Sequence, residues 1–133
     1  MAIFRDNVSS VKILIVDDEA LDLFIAKTLL QTEFEVEGFT NLIDCVEWAR
    51  HNEFDAVLID YYLDTDTFAT HALAALQQLR PVPIRNAFVL SNFVDREQFT
   101  ALKKAGFEDV ITKPISLDVI RVKLGVTQRG ESA

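Results

Sequence analysis

The chain has 133 residues, half of them apolar, which fits one domain of ordinary size with a sizeable core. A formal net charge of −8 and a pI near 4.6 argue against binding nucleic acid or an anionic membrane through the general field. A single cysteine rules out an intramolecular disulfide, and no run approaches the ~20 apolar residues of a membrane span.

Val11–Val16 is a nearly continuous β-branched and aliphatic run, the pattern of a strand buried on both faces. Leu21, Phe24, Ile25, Thr28 and Leu29 follow at helical spacing. Phe34–Phe39 alternates: Phe34, Val36 and Gly38 fall on one side and Glu35 and Glu37 on the other, which predicts a strand near a sheet edge. Asn41 is placed to cap a helix carrying Leu42, Cys45, Val46, Trp48 and Ala49, with Asp44 at the box position. Cys45 reads there as a small buried apolar residue. Ala56–Ile59 is a further buried strand. After a polar loop, Phe68–Leu79 is rich in Ala and Leu and helical, and Pro81 and Pro83 close it. Ala87–Leu90 is a strand. Asp95 caps a helix through Ala105, with Gln98 three positions on and Gly106 as the stop. Asp109–Ile111 forms the last strand, and Ser116 caps a final helix to about Leu124. His51 and His71 read as helix-surface residues.

Strand and helix thus alternate five times, which predicts an α/β domain: a parallel sheet with helices on both faces. The domain is expected over residues 11–125, with tails at 1–10 and 126–133. The stretch Met1–Ser10 contains Arg5, Asp6 and Asn7 and no secretory apolar core, so a cytoplasmic location is expected.

The residues with chemistry collect at the strand ends. Asp17-Asp18, Asp60, Ser91 and Lys113-Pro114 each lie at or just past the end of an apolar run. An open parallel sheet binds ligands outside the carboxyl ends of its strands, so these distant residues would meet in one cleft. Crowded carboxylates repel and raise one another's pKa unless a cation joins them. Magnesium favours such hard oxygen ligands. Lys113 and Ser91 would add an ammonium and a hydroxyl for phosphoryl oxygens, and a carboxylate can itself accept the group as an acyl phosphate.

At these positions the chain resembles the receiver domain of bacterial two-component response regulators, from about Val11 to Leu124. The residues concerned are the ILIVDDE start, the LID of the third strand, the VLS of the fourth and the ITKP of the fifth. The resemblance implies a flavodoxin-like (βα)5 fold with strand order 2-1-3-4-5. It implies Asp60 as phosphoacceptor and Mg2+ ligand, Asp18 as direct Mg2+ ligand with Asp17 supporting it, and the Tyr62 backbone carbonyl as third protein ligand. Ser91 would be the switch hydroxyl, Lys113 the phosphate-contacting lysine, and the Lys113–Pro114 bond cis. The donor would be a histidine kinase or histidine phosphotransfer protein. Phosphorylation would change the surface of the fourth helix, fifth strand and fifth helix, roughly Asp95–Leu124, for a protein partner or a homodimer.

Several positions depart from the family pattern. Asp64 holds the usual proline position, and Leu63–Phe68 contains no glycine. The acids Asp64 and Asp66 read as solvated loop charges or as tuners of the metal. Val110 stands where an aromatic switch residue is frequent. Tyr62 and Phe93, two past Asp60 and Ser91, are bulky where a water-orienting carboxamide would speed hydrolysis, so a long-lived acyl phosphate is expected. The stretch Asp64-Thr65-Asp66-Thr67 also echoes the DxDxT nucleophile of haloacid-dehalogenase-type phosphatases, but it trails its strand by four residues.

The expected function is a signalling receiver rather than a turnover enzyme. A phosphorylation-independent adaptor of the same fold is the alternative. A magnesium-dependent small-molecule phosphatase is a third reading, for which no general acid presents itself.

Overall fold

In the computed structural model of the chain, residues 11–64 and 66–126 are described; the expected tails at 1–10 and from 127 onward lie outside them. The elements alternate along the chain as β1 (Lys12–Val16), α1 (Ala20–Leu30), β2 (Glu35–Phe39), α2 (Leu42–Ala49), β3 (Ala56–Asp60), α3 (Ala69–Gln77), β4 (Ala87–Ser91), α4 (Arg96–Ala105), β5 (Asp109–Thr112) and α5 (Leu117–Leu124). All strand pairings are parallel and the order is β2-β1-β3-β4-β5. This is the flavodoxin-like doubly wound arrangement. The alternating Phe34–Phe39 segment does occupy an edge of the sheet.

Side chains leave a strand alternately to its two faces, and the core divides accordingly. Ile13 and Ile15, Ala56 and Leu58, Phe88 and Leu90, and Ile111 join one cluster with Leu23, Ala26 and Leu30 of α1 and Ile120 and Leu124 of α5. Leu14 and Val16, Val57 and Ile59, and Ala87 and Val89 join the other, with α2, α3 and α4. The continuous apolar strands follow from this two-sided burial. Cys45 belongs to the second cluster, and burial pushes its thiol up to about 12, which keeps it inert.

Helix ends follow their local chemistry. The Asn41 side chain accepts from the Asp44 amide at 2.9 Å. Asp95 and Gln98 exchange both bonds of a capping box. Ser116 accepts from Val119 N–H at 3.2 Å. Gly106 closes α4 at φ 112°, where a Cβ would be strained. Gly125 does the same for α5 at φ 69°, and the Val126 amide donates to Arg121 O. Val126, expected to begin a tail, thereby packs against the core.

One helix turns a different face inward from the one its spacing picked out. Leu21, Phe24 and Ile25 of α1 are 68%, 66% and 52% exposed, while Leu23, Ala26 and Leu30 are buried. The helix is apolar around most of its circumference, so periodicity alone does not choose the buried side. Gly38 of β2 does choose it: a Cβ there would stand 2.8 Å from Leu23 Cδ1 and 2.9 Å from Lys27 Cδ, so its lack of a side chain lets α1 settle closely on the sheet.

Candidate functional site

The parity that divides the core also sorts the polar residues beyond the strand ends. Continuing the alternation of β1, β3 and β5, Asp17, Asp60 and Lys113 point to the α1 and α5 side of the sheet. They meet there. The Lys113 ammonium lies 3.0 Å from Asp17 Oδ2 and 3.0 Å from Asp60 Oδ1. A third carboxylate, Asp22 in the first turn of α1, stands 3.1 Å from the same nitrogen. Asp18, Asp17 and Asp60 each place an oxygen within 4.8 Å of the others. The Lys113–Pro114 bond is cis.

Burial decides the electrostatics. Asp17 is 2% exposed and fully partnered: Oδ2 takes Lys113 and Oδ1 takes the Glu19 amide at 3.0 Å. Asp60 is largely buried. Burial pushes its carboxyl up to about 6, Lys113 opposes the shift, and Asp17 and Asp18 add to it. For Lys113, burial disfavours the ammonium, but the bonds it donates to Asp17, Asp60 and Asp22 outweigh this and raise its pKa. The site thus holds excess negative charge that one lysine does not fully balance. Carboxylates only, close-set and partly open through exposed Asp18, make a donor set fit for a hard divalent cation. Among the described residues, no backbone N–H donates to the Tyr62 carbonyl.

Ser91 lies on the opposite parity, with Ala87 and Val89. Its hydroxyl donates to Phe93 O at 2.9 Å and accepts from Phe93 N–H at 3.3 Å. It is therefore turned into its own loop and does not bond Asp60. Val110 is half-buried against the α2–α4 cluster, and Phe107 is core. Phe93 is 77% exposed and Tyr62 is 55% exposed.

The loop after Asp60 closes without a glycine. Leu63 N–H donates to Thr67 O, Ala69 N–H to Tyr61 O, and Tyr62 and Phe68 form an isolated antiparallel bridge. The Tyr62 and Phe68 rings lie 4.8 Å apart between centroids, tilted by 45°. Asp64 Oδ1 accepts from the Asp66 amide, so this acid shapes the turn. Both Asp64 and Asp66 are exposed and stand outside the carboxylate cluster. His71, exposed on α3 as expected, accepts from Phe68 N–H through Nδ1 and so caps its own helix. The exposed acid that sequence reasoning missed is Asp22; its spacing of four from Asp18, at a helix start, was the available signal.

The structure is thus a five-stranded doubly wound α/β domain with an acidic, lysine-bridged cleft at the carboxyl edge of its sheet, where such sheets bind their ligands. A family model describing the response regulator receiver domain matches residues 13–124, and the chain belongs to that family. No curated protein matches the chain. Among solved structures it is similar to a CheY-like response regulator receiver domain protein from Methanospirillum hungatei JF-1, at 28% identity and TM-score 0.74, covering 88% of this chain and 95% of that one. A two-component response regulator from Clostridium difficile gives 16% identity and TM-score 0.74, covering 92% of this chain and 100% of that one. A response regulator protein from Burkholderia pseudomallei, solved with a phosphorylated aspartic acid, a calcium ion and citrate, gives 21% identity and TM-score 0.71, covering 86% and 66%. Receiver domains are signalling domains of two-component systems, and none of the helices described here is long and apolar enough to cross a membrane.

Proposed function

We propose that the protein accepts a phosphoryl group on Asp60, in a reaction that needs Mg2+, from a histidine kinase or histidine phosphotransfer protein. The observation that carries this reading is the three-carboxylate cluster with Lys113 held 3.0 Å from Asp60 Oδ1. A pure scaffold has no physical need of so repulsive a group. An Asp60 oxygen attacks phosphorus, the donor's phosphorus–nitrogen bond breaks, and its electrons leave with the imidazole. Bound metal would neutralise phosphoryl charge. Asp18 and the Tyr62 carbonyl would hold it directly. Asp17, with both oxygens already engaged, would support it.

Lys113 and Ser91 complete the stabilisation of the phosphoryl oxygens. Ser91 has to leave Phe93 to do so, which makes that hydroxyl a two-position element. Its rearrangement would alter the β4–α4 connection and so the α4–β5–α5 surface offered to a protein partner or a second copy. With Val110 in place of an aromatic ring, the backbone of that connection would carry the signal. A protein donor is favoured by the exposed apolar residues beside the site: Leu21, Phe24 and Ile25 share one face of α1, the i, i+3, i+4 arrangement.

Intact-mass spectrometry after incubation with phosphoramidate or acetyl phosphate tests this, with and without Mg2+, for the protein and Asp60→Asn. One added phosphoryl mass that requires both Mg2+ and Asp60 supports the reading. No adduct and no binding of beryllofluoride would favour a phosphorylation-independent adaptor. Continuing hydrolysis of a phosphate ester, lost in Asp60→Asn, would favour a phosphatase.

A further inference from the structure

Asp22 has no part in the reading above, yet it touches the central lysine. An ammonium has three protons to donate. Lys113 meets Asp17 Oδ2 at 3.0 Å, Asp60 Oδ1 at 3.0 Å and Asp22 Oδ2 at 3.1 Å, so its donors are spent. A phosphoryl group on Asp60 would add acceptor oxygens and negative charge beside this nitrogen. Each bond that Lys113 makes to those oxygens then replaces one it already has.

The three carboxylates differ in what release would cost. The Asp17 side chain is 2% exposed, and leaving a buried charge unpaired is strongly unfavourable. Asp60 itself carries the incoming group. Asp22 is 46% exposed, so water hydrates it when the bond breaks. It sits in the first turn of α1, where the helix dipole favours a free carboxylate. Asp22 and Lys113 also line an open cavity of about 320 Å³ with Asn92, Ile25 and Pro114, which gives the released side chain room to turn.

We propose that Asp22 is a positioning residue that withholds one Lys113 donor from the phosphoryl position and releases it when Asp60 is occupied. The proposal rests on the phosphoacceptor reading of Asp60. Asp22 then stabilises the unoccupied state and not the occupied one, so by linkage it lowers the affinity of the site for a phosphoryl-like group. It acts as a restraint on the switch, seated on α1 rather than on the strand ends.

The test is a beryllofluoride titration in saturating Mg2+ on the full chain, comparing the protein with Asp22→Asn, Asp22→Glu and Glu19→Gln. Asp22→Asn is expected to bind roughly three- to five-fold more tightly, the scale of one exposed ion pair. Asp22→Glu keeps a carboxylate within reach of Lys113 and is expected to bind within about two-fold of the unsubstituted protein. Glu19→Gln removes the same charge one turn away, keeps the backbone amide that Asp17 accepts, and is expected to bind within about two-fold of the unsubstituted protein. Equal or weaker binding by Asp22→Asn overturns the proposal while leaving the phosphoacceptor reading intact. An equal gain in Glu19→Gln also overturns it, because the general field would then be the cause. If the unsubstituted protein binds no beryllofluoride, the phosphoacceptor reading fails and this proposal fails with it.

Discussion

The Lys113 ammonium reaches Asp60 Oδ1 at 3.0 Å although the two residues sit at the ends of β5 and β3, with β4 between them. Adjacent strands are ~4.8 Å apart, so the side chain must span about two strand spacings. A long, flexible stem ending in a compact charge does this. Lys113→Ala removes the cation that three carboxylates, Asp17, Asp22 and Asp60, contact. Urea unfolding at pH 7 in EDTA is expected to show a loss of about 1–3 kcal/mol, limited by proton uptake at Asp60. Added Mg2+ should recover most of the loss. An unchanged midpoint in EDTA would mean that the carboxylates do not depend on Lys113.

Asp60 adds its own pH dependence to the stability of the metal-free protein. Its carboxyl is raised to about 6 chiefly by burial, against an unfolded value near 3.8. The folded state therefore binds the proton more tightly than the unfolded state does. The contribution of Asp60 to stability falls as pH rises through the window from about 4 to 6, and its penalty is complete above it. Asp60→Asn abolishes this term. Its advantage over the unsubstituted protein should be near zero at the acid end of the window and grow to on the order of 1–3 kcal/mol at pH 7.5 without metal. Saturating Mg2+ should shrink the difference, since a cation favours the ionised carboxylate. A pH-independent difference would show that Asp60 is not the titrating group.

The strand ends were legible because buried parallel strands are continuous apolar runs, and a polar residue that stops such a run is conspicuous. That logic placed Asp17, Asp18, Asp60, Ser91 and Lys113 at the strand ends, whereas the sheet order was implied only by the resemblance to the receiver family. It did not locate Asp22, an unremarkable acid in a helical first turn until Lys113 is seen beside it. It did not choose the buried face of α1, since Leu21, Phe24 and Ile25 are as apolar as Leu23, Ala26 and Leu30; contact with the sheet at Gly38 made that choice. Nor does any pattern tell that the Ser91 hydroxyl is turned to Phe93, because rotation about one bond leaves no mark in sequence.

Tyr62 and Phe93 stand two residues beyond Asp60 and Ser91, both mostly exposed and neither able to orient a water as a carboxamide would. Tyr62 is also held by its ring contact with Phe68. The acyl phosphate on Asp60 should therefore decay over minutes or longer, and Tyr62→Asn should shorten its life several-fold. Adduct mass followed after removal of the donor measures both. Decay of the unsubstituted protein within seconds would count against the idea.

Ser91 offers the sharpest separation of capture from signalling. Its hydroxyl now satisfies only its own loop, donating to Phe93 O and accepting from Phe93 N–H. Ser91→Ala gives up these exposed bonds at a cost of about 0.5–1 kcal/mol and leaves Asp60, Lys113 and the acidic cluster in place. Phosphoramidate should still label Asp60 in this variant. What should be lost is the response of α4 and β5, because nothing then draws the β4–α4 connection toward the phosphoryl oxygens. Amide hydrogen exchange over Val94–Thr112, with and without beryllofluoride and Mg2+, reads that response. A full response in Ser91→Ala would mean that the signal leaves the site by another route, the nearest being the release of Asp22 and the first turn of α1.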